Sequence, residues 1–154
     1  ADCRECASEW LLPQLAGHQP LFDFAFIDGD HRFDNCLVDF FYAGRLIREG
    51  GIIVLDDVDL NSVNKVVRFI TANLPMFKII RAAGQRHASA RRRALGYLAG
   101  CLHPATLIFP RRMAQELFSD PVIRPDRTLR LNASMIAFQK TSSEHYDQHV
   151  FTPF

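Results

Sequence analysis

No stretch of this chain approaches the roughly 18 consecutive apolar residues that a bilayer-spanning helix needs, so the sequence does not read as a membrane protein. A surplus of charge is also missing: 18 Lys and Arg stand against 17 Asp and Glu, a formal net charge of +1. Such a balance gives no global attraction to nucleic acid or to an anionic membrane. The first residue is Ala1, with neither an initiator Met nor a basic-then-apolar leader behind it. We expect a cut or processed end there, and the lack of a targeting signal points to the cytoplasm. Cysteines number four: Cys3, Cys6, Cys36 and Cys101. Cys3 and Cys6 have the spacing of half a zinc site, but no second pair completes four ligands. No strand precedes them, as a thioredoxin-like motif requires. Cys36 and Cys101 fall among apolar residues and are expected to be buried thiols. Internal repeats and low-complexity runs are absent.

What remains is a chain of 154 residues, 48% hydrophobic and 23% charged. That is the size of about one domain, with enough apolar material for a core. Residues 6–16 read as a helix carrying Trp10, Leu11 and Leu15, with Gly17 as its stop. The nearly all-apolar run over 21–27 reads as a strand covered on both faces, as in a parallel sheet. It ends in Asp28-Gly29-Asp30. Asp34 is expected to cap a helix over 35–48, in which Leu37, Phe40, Phe41, Gly44 and Ile47 share one face. Gly50-Gly51 should stop that helix, and 52–55 reads as a second buried strand ended by Asp56-Asp57. Ser62 is expected to cap a helix over 63–74, terminated by Pro75. Strands follow at 77–82 and 134–139.

Strand–helix–strand–helix–strand alternation predicts right-handed crossovers. The expected class is α/β: a Rossmann-like, doubly wound, mostly parallel sheet with an antiparallel last strand, present in part. Residues 84–131 break the rhythm and read as an insertion, part helix over 86–102 and part loop. The tail, 142–154, reads as irregular. The whole chain, 1–154, is expected to belong to one domain.

Ligands in open α/β sheets bind outside the carboxyl ends of the strands. Two neighbouring strands here end in acids, Asp28 and Asp30 on one, Asp56 and Asp57 on the other, with His31 beside them. Clustered carboxylates repel one another, and a hard cation such as Mg²⁺ relieves that repulsion. The competing reading is that these acids only cap helices or accept turn hydrogen bonds, as Asp34 is expected to do.

The run Phe22-Asp23-Phe24-Ala25-Phe26-Ile27-Asp28-Gly29-Asp30-His31, then a helix, then Gly50-Gly51-Ile52-Ile53-Val54-Leu55-Asp56-Asp57, resembles the second half of class I S-adenosylmethionine-dependent methyltransferases. The nearest group is the small-molecule O-methyltransferases that pair an IDGDH strand end with a GGxxxxDD strand. The resemblance covers roughly residues 8–74. It implies S-adenosylmethionine as cofactor and a small-molecule hydroxyl as acceptor. Its metal-dependent members imply Mg²⁺ on Asp28, Asp56 and Asp57. Side chains alternate along a strand, which makes Asp57 the weaker ligand of its pair. Where those enzymes carry a lysine base this chain has His31, whose ordinary pKa of about 6.5 suits a base near neutrality. Asp28, Gly29 and Asp30 lie where the family's chain passes the cofactor's adenine.

One element of that family is missing. No G-x-G-x-x-G or similar loop occurs, and Gly50-Gly51 precedes a strand rather than following one. The expectation is therefore a carboxyl-terminal part of the domain, whose first strands lie upstream and whose sheet edge and faces are exposed. The alternative to an enzyme is a non-catalytic remnant acting through association; a metal-dependent hydrolase on the same carboxylates is a third reading. The basic cluster of Arg86, His87, Arg91, Arg92 and Arg93, extended by Arg111 and Arg112, reads as a solvated helix face. Nucleic acid is not expected as a partner, since Tyr97 alone supplies little stacking.

Overall fold

The computed structural model describes residues 5–18, 22–84, 90–118, 123–126, 129, 131, 133–142, 152 and 154. In chain order the elements are α1 (Ser8–His18), β1 (Phe22–Ile27), α2 (Phe33–Leu46), β2 (Ile47–Leu55), α3 (Asn61–Asn73), β3 (Phe77–Ala83), α4 (Ala90–Thr106), α5 (Arg111–Leu117) and β4 (Met135–Lys140). The strands form one sheet in the order β1-β2-β4-β3. β1 and β2 are parallel, and β4 runs antiparallel to both β2 and β3. This is an α/β fold with a mixed sheet, consistent with a partial Rossmann-like architecture. β1, β2 and β3 point the same way and the last strand opposes them, as the alternation predicts. Among the described residues no helix is long and apolar enough to cross a membrane.

The register shows why the core lies on one side. Ala25, Ile53 and Phe138 align across the sheet, as do Ile27, Leu55 and Ile136. Ile53, Leu55, Ile136 and Phe138 are all fully buried, packed with Phe40 of α2 and Val66, Val67 and Ile70 of α3. Phe40 meets Phe77 and Phe138 edge-on, at ring-centroid distances of 5.0 and 5.5 Å. The alternate set points the other way. Phe24 and Phe26, which pair with Ile52 and Val54, are 57% and 49% exposed. Phe22 shares their exposure, and β1 lies at one edge of the described sheet, so the strand expected to be covered on both faces is covered on one only.

Several boundaries differ from the sequence reading for local reasons. α2 begins two residues earlier than expected, with Arg32 rather than Asp34 at the N-cap position. The Arg32 carbonyl accepts the Cys36 amide, and the Arg32 amide is held by Asp30 Oδ1 at 3.0 Å. Asp34 falls in the first turn, where an acid is favourable without capping. α2 also stops earlier, at Leu46, before the two glycines. Its end is capped by a lysine from the far strand: Lys140 Nζ donates to the carbonyls of Gly44 and Ile47 at 2.9 and 2.8 Å. A cation there meets both the orphan carbonyls and the helix dipole.

Gly50-Gly51 therefore lies inside β2. Phe22 pairs with Ile47 and Phe24 with Ile52, so the longer strand bulges between them. Gly50 takes φ +80°, and a Cβ on Gly51 would stand 2.6 Å from Ile47 Cγ2 and 3.0 Å from the Asp23 carbonyl. Only glycine fits so close an approach. α3 starts at Asn61 with Leu60 as N-cap, so Ser62 is not the cap but sits within the first turn. Cys36 is buried, and burial pushes its thiol up to about 11. Cys101, expected to be buried, is exposed, as is Cys6. The helix holding Cys101 turns only part of its surface inward, and Ala99 and Thr106 are its buried positions among the described residues.

Between β3 and β4 lie α4 and α5. α4 continues past the expected 102 and through Pro104 to Thr106, closing with Leu107 and Ile108 amides on the Pro104 and Ala105 carbonyls. Arg86, His87, most of the 142–154 tail, Cys3, and the side chains of Arg91 to Arg93, Arg111 and Arg112 lie outside the described residues.

Candidate active site

The parallel pairing of β1 with β2 brings their carboxyl ends side by side. Ile27 pairs with Leu55, and the Asp56 amide extends the ladder by donating to the Ile27 carbonyl at 3.1 Å. Asp28 and Asp56 leave the sheet next to each other. Asp57 adopts φ +50°, a left-handed conformation unusual for a side-chain-bearing residue. Its amide donates to Oδ1 of Asp56 at 2.8 Å. That turn swings the Asp57 carboxylate towards the other loop.

There it meets His31. His31 Nε2 lies 2.9 Å from Asp57 Oδ2 and 3.7 Å from Asp28 Oδ1. Nε2 is closed to solvent and has no well-aligned hydrogen bond, although the ring as a whole is 36% exposed. Asp28, His31 and Asp57 each offer a ligand atom within 4.8 Å of the others. Asp56 does not join that group. Of the acids that the sequence singles out as metal ligands, the structure brings Asp28 and Asp57 together and turns Asp56 onto its neighbour's backbone.

Asp30 and Gly29 have different surroundings. Asp30 Oδ1 accepts the Arg32 amide, and Oδ2 accepts Arg32 Nε and Asn35 Nδ2, both at 2.8 Å. The bond from the Arg32 backbone, followed by that from its side chain, holds the Asp30 carboxyl below its ordinary value. Gly29 packs over Asp39 of α2, with Asp39 Oδ2 3.5 Å from where a glycine Cβ would stand. Asp39 is buried, and burial raises its carboxyl, with the charges of Glu9 and Asp30 adding and a Ser8 hydrogen bond opposing.

Two residues at this end of the sheet escaped the sequence reading of the site. Asp39 occupies a polar position on an amphipathic helix, and nothing in its spacing marks it as buried. Ser62 read as a helix cap. Its hydroxyl instead donates to the His31 carbonyl at 2.5 Å, joining the loop after β1 to the start of α3.

Residues 1–58 match a family model described as a methyltransferase domain. The matched stretch contains Asp28, His31 and Asp57 in full. It spans less than half of the chain, and there the chain is similar to a methyltransferase domain. No curated protein matches it.

A methyltransferase domain implies S-adenosylmethionine, and the Asp28–His31–Asp57 cluster invites a divalent cation. For a divalent cation the donor set fits: the Asp28 and Asp57 carboxylates supply hard oxygens within 4.8 Å of each other. For S-adenosylmethionine the fit is partial. Asp28, Gly29 and Asp30 line the strand end, but the sequence holds no Gly-rich turn for the rest of the molecule.

Proposed function

We propose that this chain forms the acceptor side of an S-adenosylmethionine-dependent methyltransferase acting on a small-molecule hydroxyl. The observation that carries the reading is the Asp28–His31–Asp57 cluster at the ends of β1 and β2, inside the stretch that matches a methyltransferase domain. S-adenosylmethionine supplies, when bound, a sulfonium-activated methyl group open to in-line attack. The remaining requirement is an acceptor oxygen, positioned and relieved of its proton. Asp28 and Asp57 would hold Mg²⁺, which when bound lowers the pKa of a coordinated hydroxyl. His31 stands within the same mouth and takes the proton. The positive charge that the ring then carries faces Asp57 at 2.9 Å and Asp28 at 3.7 Å. Arg32 and Asn35 fix the Asp30 carboxylate, and with it the turn that places the Asp28–His31 segment.

The test is methyl transfer from S-adenosylmethionine to a panel of phenolic and aliphatic hydroxyl acceptors, using the longest native form of the protein. His31→Ala should reduce kcat by roughly 10²-fold or more, the range of a general base, with substrate binding little changed. Transfer unaffected by His31→Ala would remove the base from the reading. Transfer unaffected by excess EDTA would remove the metal.

A second reading, association without catalysis, is favoured by a different observation. Phe22, Phe24 and Phe26 expose one apolar face of the edge strand. Contiguous exposed apolar surface of this kind marks interaction sites.

A further inference from the structure

We infer that Ser62 and Asp56 are the positioning residues of the candidate site: they set the approach of His31 to Asp57 from behind, through the backbone. This inference rests on the reading of His31 and Asp57 as the working pair.

The contacts close a ring around that pair. Ser62 Oγ donates to the carbonyl of His31 at 2.5 Å, a bond between residues 31 positions apart. Ser62 is itself located by the start of α3. The Leu60 amide donates to the Asp57 carbonyl at 2.9 Å, and the Asn64 amide to the Leu60 carbonyl at 2.9 Å. The backbone of Asp57 is therefore tied to the backbone of His31 through a single turn of helix. Across the same ring their side chains meet at 2.9 Å. Asp56 controls the other variable, the direction in which Asp57 points. A left-handed conformation is disfavoured for a residue with a side chain, though less for Asp and Asn than for most. The Asp56 carboxylate offsets that cost by accepting the Asp57 amide at 2.8 Å. Asp56 lies outside the Asp28–His31–Asp57 cluster, and Ser62 meets His31 through the backbone carbonyl.

The test reads the pair without turnover. In the chain carrying ¹³C-labelled histidine, the His31 ring Cε1–H resonance is followed as Asp57 is changed to Asn. The expected result is a clear displacement in the parent protein. The same change in a Ser62→Ala or Asp56→Ala background should displace it by less than half as much. Ser62→Thr and Asp56→Asn, which keep the hydroxyl donor and the oxygen acceptor, should restore the full displacement. A variant acting only on global stability would lower the melting temperature and leave the displacement intact. Should Ser62→Ala not fold, Ser62→Cys, of similar size and a weak donor, takes its place. Full displacement in both alanine backgrounds overturns the inference. An unmoved resonance on Asp57→Asn in the parent overturns the pair as well. Loss of methyl transfer with the expected displacements intact would overturn the proposed function alone.

Discussion

His31 and Asp57 reach each other across two separate loops, with Nε2 and Oδ2 at 2.9 Å. The neighbouring acid, Asp56, has an equally short contact, but to a backbone amide. The two aspartates should therefore respond differently to one substitution. Asp57→Asn removes the charge that faces His31 and should slow methyl transfer by roughly 10²-fold, in the range that general acid–base catalysis contributes. Asp56→Asn keeps an oxygen for the Asp57 amide and should retain most of the rate. Parallel assays of the two variants check this; equal losses would show Asp56 to be a direct participant.

Asp39 links pH to stability. Burial holds its carboxyl above the ordinary value of 3.8, so the folded chain binds this proton more tightly than the unfolded chain does. The resulting stabilisation is fully present below about pH 3.8 and is lost as pH rises through the folded-state value. Asp39→Asn removes the ionisation while keeping an acceptor for Ser8. It should raise the melting temperature at about pH 7 and give no gain at about pH 3. Calorimetric scans at the two pH values decide it.

Lys140 offers a test of the packing. Its ammonium satisfies two carbonyls at the end of α2, and burial pushes its pKa below the ordinary lysine value. Lys140→Met keeps the apolar stem and leaves both acceptors unmet, at a cost of about 1–3 kcal/mol. Denaturant titration should show the midpoint falling with the slope unchanged.

The exposed face of β1 should govern behaviour in solution. With Phe22, Phe24 and Phe26 open to water on an edge strand, the chain is expected to self-associate. Phe24→Lys should shift light scattering towards monomer and lower the binding of an apolar dye. A parent protein that is monodisperse and monomeric at high concentration would contradict this.

Much of the fold was legible because its signals are local. The apolar runs before Asp28 and Asp56 mark two strands, of which β2 is buried and β1 is covered on one face only, and the neighbouring parallel pair follows from the helix between them. Helix ends were harder, because their causes are distant in sequence. Nothing near Leu46 announces that Lys140 will cap it. Gly50-Gly51 looks like a helix stop and is a strand bulge, since the close approach of the Asp23 carbonyl is invisible without the pairing. In the site, the strand-end rule brought Asp28 and the Asp56-Asp57 pair to one edge. Which of the pair faces His31 depends on a left-handed turn at Asp57, and strand alternation alone pointed the other way. The role of Ser62 was hidden by an ordinary local pattern, a serine near a helix start, whose hydroxyl bonds across to another loop.

The position of β4 has a consequence for how the chain folds. It is the last strand in sequence among the described residues, yet it lies between β2 and β3. Until residues 135–140 arrive, β2 and β3 have no bridge, and the fully buried Phe138 is missing from the centre of the core. During synthesis, the residues before Met135 would emerge with β2 as an open edge. Such non-local closure slows folding and prolongs the exposure of strand edges. Truncation just before Met135 should then give a species that binds chaperones and resists compaction, even though it keeps every residue of the Asp28–His31–Asp57 cluster.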